Sequence, residues 1–180
     1  MYENRFSVLL QSATSEAERA RLLSITAESS SDWLHALPIP SLGLHLDPMS
    51  LKIACGLHLG SPLCNTHQCI CGAMVDPLGR HGLSCKKQKG RYMCYEEVNK
   101  LMKRGFDQAK IPSTLEPVGL SRDGDGKRPD GLTLPTWSAG KCLIWDFTCA
   151  DPICDSYVNK ASKRACSAAE EREKKKVKNI

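Results

Sequence analysis

Lys127-Arg-Pro-Asp-Gly-Leu-Thr-Leu-Pro-Thr-Trp-Ser-Ala-Gly-Lys-Cys-Leu-Ile-Trp-Asp-Phe-Thr148 is the stretch on which the fold turns. It reads as two β-runs, 128–134 and 141–149, joined by a turn over 135–140. Each run carries a carboxylate near one end, Asp130 in the first and Asp146 in the second, with 15 residues between them. Side chains two apart on a strand share a face, so Asp130 sides with Arg128 and Leu132, and Asp146 with Ile144 and Thr148. Glu116 stands 12 residues before Arg128, in a third strand expected over 114–120, with residues 123–126 as the turn that follows. Three strands side by side would gather Glu116, Asp130 and Asp146 on one Mg²⁺, a hard cation that takes oxygen ligands. Such an ion acidifies a bound water and offsets charge on a phosphodiester, while a nearby cation steadies the charge that develops. A plainer role fits the same residues: Asp130-Gly131 as a turn and Asp146 as a strand-end cap.

Outward from this stretch the pattern turns helical. Tyr95, Val98, Leu101, Met102 and Phe106 recur at helical spacing, which predicts a helix over 90–109. An Ala-, Lys- and Glu-rich tail predicts another over 155–178. The order helix, strand, strand, strand, helix makes a small α/β core. Upstream, Ser15 followed by Glu18 caps a helix over 15–28. Asp32 caps a short helix that ends at Leu37, before Pro38 and Pro40. Asp47-Pro48 starts a third helix, running to Leu59, with Leu51, Ala54, Cys55 and Leu57 turned toward a partner. The expected organisation is α+β: a helical segment 1–62, a Cys/His element 63–88 and the core 89–180.

Residues 63–88 lack periodicity but hold Cys69-x-Cys71, nine further residues, then His81-x3-Cys85. Four soft or borderline ligands within 17 positions, with Gly72, Pro77, Gly79 and Gly82 between them, suit a tetrahedral Zn²⁺. Cys64 and His67 are spare ligands. With all four places filled by protein, the zinc is structural. Cys55, Cys94, Cys142, Cys149, Cys154 and Cys166 read as small buried hydrophobes.

The 180-residue chain carries a formal net charge of +5. No signal peptide opens it and no apolar run is long enough to span a membrane. The ten cysteines therefore belong to a reducing compartment, nuclear or cytoplasmic, where clustered Cys and His point to metal. Eight Lys and Arg fall between positions 86 and 110 against three acids, beside Tyr92 and Tyr95. That segment suits a phosphate backbone and equally a solvated helix face. Arg91, Lys103, Arg104, Lys127 and Arg128 are the cations expected to meet DNA. Lys174-Lys-Lys-Val-Lys178 suits a nuclear-localisation signal or a helix end favourable to the dipole.

At Cys69, Cys71, His81, Cys85 and Arg128-Pro129-Asp130…Asp146 the chain resembles the restriction-like endonuclease segment of non-LTR retrotransposon polyproteins. It is similar as well to retroelement-derived proteins of invertebrates. The resemblance is best from about Trp33 to Thr148 and weaker in the last helix. The wider superfamily is the PD-(D/E)xK nucleases, with restriction enzymes and Holliday-junction resolvases. It implies a restriction-endonuclease-like core, Mg²⁺-dependent hydrolysis of a DNA strand and a reverse transcriptase encoded upstream. The superfamily carries a lysine two residues after the second acid, and here that position is Thr148. Lys160 or Lys163 on the following helix is the expected substitute. The alternative expectation is a zinc-stabilised nucleic-acid-binding module, or an inactive remnant, without nuclease activity.

Overall fold

Capping residues set the helices of the first half. In the computed structural model, which describes residues 2–85, 87, 90–120 and 128–177, helix α1 spans Tyr2–Ser12 and α2 spans Glu16–Ile25. The Ser15 hydroxyl accepts the Glu18 N–H at 3.2 Å. Helix α2 stops short of the expected Glu28 because hydroxyls take its last carbonyls: Thr26 Oγ1 donates to Leu23 O and Ser30 Oγ to Ile25 O. Helix α1 was not among the expected elements. The short helix expected after Asp32 is instead a 3-10 turn, Asp32–His35, with no side-chain cap, and Pro40–Leu42 forms a second one.

Helix α3 spans Pro48–Leu59, with Asp47 accepting from Met49 N and Ser50 N at 2.9 and 3.1 Å. Its expected apolar face finds little to pack on. Leu51 is exposed, Ala54, Cys55 and Leu57 are half-buried, and Gly56 is the buried residue of the helix. Strands β1 (His67–Gln68) and β2 (Met74–Val75) make a two-stranded hairpin, followed by helix α4 (His81–Ser84).

The chain divides into two compact units, Met1–Gln88 with Ala150–Glu171, and Lys89–Cys149 with Arg172–Ile180. Small residues let helices of the first unit approach: buried Ala20 of α2 and Ala161 of α6 (Val158–Ala161), with Asn159 Nδ2 donating to Glu16 Oε1 at 3.0 Å. The single tail helix expected over 155–178 is two helices, α6 and α7 (Ser167–Val177), interrupted by Cys166 at φ 61°.

In the second unit helix α5 spans Gly90–Gln108. Strands β3 (Ser113–Leu115), β4 (Gly131–Ser138) and β5 (Lys141–Trp145) form an antiparallel sheet in that order. Phe106 of α5 packs on Trp145 and Trp137, with ring centroids 5.1 and 6.1 Å apart, and Tyr95 meets Phe147 at 5.5 Å. Strand β3 is shorter than expected because Glu116 adopts a left-handed φ of 45° and Pro117 follows. The expected turn over 135–140 contracts to Ala139-Gly140, both at positive φ, as a two-residue hairpin requires. Pro135 stays in β4, at a break in register between Leu132 and Thr136. There buried Thr133 repairs the ladder: its hydroxyl accepts from Leu143 N at 2.9 Å and donates to Pro135 O at 3.1 Å. The expected turn at 123–126, Lys127 and Lys178 lie outside the described residues. No helix among the described residues is long and apolar enough to cross a membrane.

Candidate metal centre and acidic row

The two-stranded hairpin exists to present sulfur. Cys69 follows β1, its N–H bonding Ala73 O at 2.8 Å, and Gly72 N returns to Cys69 O at 2.8 Å, so Cys69 and Cys71 share one tight loop. Asp76 steadies the return, with Oδ1 accepting from Arg80 N. One turn of α4 then places His81, whose carbonyl accepts the Cys85 N–H at 2.9 Å. The ligand atoms of Cys69, Cys71, His81 and Cys85 all lie within 4.8 Å of one another. Cys69 Sγ stands 3.7 Å from Cys85 Sγ, and Cys71 Sγ 3.1 Å from His81 Nε2. A tetrahedron with metal–sulfur arms of about 2.3 Å has S···S edges of about 3.8 Å, so the thiol pair already has the spacing zinc needs. The expected spare ligands stand aside: Cys64 Sγ donates to Asp76 O, and His67 Nδ1 bonds Asn65 O.

The thiols are not equivalent. The Ala73 backbone N–H, aided by hydrogen bonds from Cys69, Cys85 and His81, holds the Cys71 thiol down at about 7 against an ordinary 9.0. The Cys71 backbone N–H favours the Cys69 thiolate too, but desolvation and the neighbouring Cys71 and Cys85 thiols win and raise it. In the metal-free chain the Cys71 contribution to stability is complete above 9.0 and is lost as pH falls through about 7. Metal binding also expels thiol protons. Zinc affinity measured by dye competition should therefore fall more than about a hundredfold from pH 8 to pH 6.

The acids lie at one end of the three-stranded sheet. Its last ladder row is Leu115, Gly131 and Trp145. One position further the same register sets Glu116, Asp130 and Asp146 in a row, and Glu116 N donates to Asp130 O at 3.0 Å. Opposed residues of adjacent antiparallel strands sit about 4.5–5.5 Å apart at Cα, so Asp130 neighbours both Glu116 and Asp146, while those two stand on opposite sides of it. Asp130 Oδ2 accepts from Phe147 N at 2.6 Å. Lys176 of α7 donates to Asp146 Oδ1 and, at 2.5 Å, to Phe147 O. Asp130 and Lys176 thus grip the two sides of one peptide stretch. Thr148 offers nothing to the row, since its hydroxyl is buried with no hydrogen-bond partner. Among the described residues the Cys/His group alone is arranged to hold a metal through three or more side chains, and the acids form no such group.

The expected substitutes for the absent lysine are engaged within the first unit: Lys160 with Glu171 at 2.5 Å and Lys163 with Asn159 Oδ1 at 2.9 Å. Lys176 is not among the expected site residues. Its only signal was the basic last turn of the final helix. The expected phosphate contacts fare unevenly. Lys103 pairs with Asp107 at 2.5 Å, and Lys100 with Glu96 and Glu97 at 2.8 and 3.1 Å, so α5 neutralises much of its own charge. Hydrogen bonds donated to Glu96, then to Glu97, raise the Lys100 ammonium above its usual range. Arg104 and Arg128 are exposed, and of Arg91 only the helical backbone is described.

No family model, curated protein or solved structure matches this chain. The architecture that stands is mixed helix and sheet with a Cys3His group fit for a metal such as zinc.

Proposed function

We propose that the chain is a zinc-stapled, Mg²⁺-dependent DNA endonuclease of restriction-like, retroelement-derived kind, with Lys176 as the lysine of its acidic site. The observation that carries this is the Lys176–Asp146 ion pair at the end of the Glu116–Asp130–Asp146 row. A lysine delivered from the last helix fills the role that Thr148 leaves open. Asp130 is held through Oδ2 and Asp146 through Oδ1, so a cation would take the other oxygen of each. Mg²⁺ bound there would acidify a water and balance phosphate charge. Exposed Glu116 extends the row on the solvent side. The Lys176 ammonium orients Asp146 and stands ready to meet the anionic phosphate.

Supercoiled plasmid with Mg²⁺ is the test substrate. Asp130→Asn, Asp146→Asn and Lys176→Met should each cut nicking by about a hundredfold or more while zinc content stays unchanged. Nicking that survives Asp130→Asn sinks the assignment.

A second reading rests on the same ion pair. Lys176 already balances Asp146, and the acids form no metal-holding group. The chain is then a zinc-stabilised nucleic-acid-binding module. It would bind DNA with an affinity that falls steeply with salt and cleave none with any divalent metal.

A further inference from the structure

Residues 34–53 are exposed without interruption, from Leu34 in the first 3-10 turn to Ile53 in the middle of α3. Twenty consecutive exposed residues would be unremarkable if they were polar, but this run holds nine large aliphatic side chains. Leu37 is 69% exposed, Met49 62% and Leu51 45%. Helix α3, apolar in composition, buries only Gly56 within the described residues. At roughly half exposure, nine such residues offer on the order of 700 Å² of apolar surface, above the few hundred usual for a monomer. That area approaches the ~800 Å² each partner contributes to a standard interface.

We infer that this strip is a self-association surface, on which two copies of the chain bury residues 34–53 against each other. Charge argues for a second copy. The strip holds one acid and one ammonium, Asp47 and Lys52, and Asp47 is committed to capping α3. A two-fold interface brings each patch against itself, which a neutral aliphatic surface satisfies and a charged one opposes. A partner recognised by charge would find only the Lys52 ammonium and an acid already engaged in capping α3. Asp47 and the Gly43 turn at φ 70° hold the strip's bends in place, so the surface is preformed.

Sedimentation equilibrium of the zinc-loaded full chain, between about 1 and 100 μM, tests this. The expected result is a mass rising from 19.8 kDa to twice that value across the range. Leu37→Asp with Met49→Asp should weaken the dimer by more than about a hundredfold, because each charge would be buried unpaired. Leu37→Ser with Met49→Ser is the milder pair, and unchanged zinc content with an unchanged circular dichroism spectrum certifies that both fold. A wild-type chain that stays monomeric to the top of the range overturns the inference and hands the strip to another protein. So does a folded aspartate variant that dimerises as tightly as wild type.

Discussion

Cys85→Ser abolishes stoichiometric zinc binding and unfolds the segment from β1 to α4. Cys85 is 2% exposed, and its sulfur is one of four ligand atoms gathered within 4.8 Å. The elements around it cannot stand alone. Strands β1 and β2 have two residues each and α4 has four. A two-stranded hairpin is marginal even at ordinary length, and one helical turn lies below the nucleation threshold. Apolar burial adds little, since Val75 and Cys85 are the buried hydrophobic residues of the segment. Zinc is left to supply the folding free energy, on the order of 10 kcal/mol for a structural site. Metal analysis should give about one zinc per wild-type chain and near none for Cys85→Ser. Amide exchange across the segment should lose its protection together with the metal, and a chelator should reproduce both effects on the wild type. The exposed Cys142 is the control, because Cys142→Ser removes a thiol far from any ligand role and should shift stability by less than about 0.5 kcal/mol. One zinc per chain retained by Cys85→Ser, with protection intact, removes the four-ligand assignment.

How much of this was legible in the chain depends on how local each signal is. The Cys3His group was readable because its ligands fall within 17 positions and turn residues separate them. The acidic row was readable because strand alternation puts Asp130 and Asp146 at comparable places on neighbouring runs. What alternation could not give was register, and register is what sets Glu116 beside Asp130. Lys176 reaches Asp146 across 30 residues, and no periodic pattern links the two. Pro135 looked like a turn and sits in a strand, because a Thr133 hydroxyl replaces the missing ladder bond. The expected tail helix breaks because Cys166 takes a left-handed φ that its sequence does not announce. The expected face of α3 is exposed at Leu51 and half-buried at Ala54, Cys55 and Leu57, because composition marks a face as apolar without saying how far it is covered.

Gly131→Ala breaks the sheet at the row beside the acids. Gly131 is buried on the central strand, paired with Leu115 on one side and Trp145 on the other. The Trp145 indole lies so close that a Cβ would clash with its Cζ2, Cε2 and Cη2 atoms. The ring cannot yield freely, since Phe106 lies against it at 5.1 Å. Either the indole leaves its site or the strands part, and both undo the Glu116–Asp130 and Asp130–Phe147 hydrogen bonds one position away. Overpacking costs about 1–3 kcal/mol, and displacing a packed aromatic costs about 3–5, so a loss near 4 kcal/mol is expected. That is a large share of the 5–15 or so that hold a domain together. Gly105→Ala should have the opposite sign, because nothing lies within 4 Å of its Cβ and it sits inside α5. There alanine gains about 0.5–1 kcal/mol from the helix. Denaturant titration followed by tryptophan fluorescence measures both. The decisive comparison is a double-mutant cycle with Trp145→Ala. If the indole is the obstacle, Gly131→Ala should cost less than about 1 kcal/mol once the ring is gone. An undiminished cost in that background would place the strain in the backbone of β4 and not in the Trp145 contact.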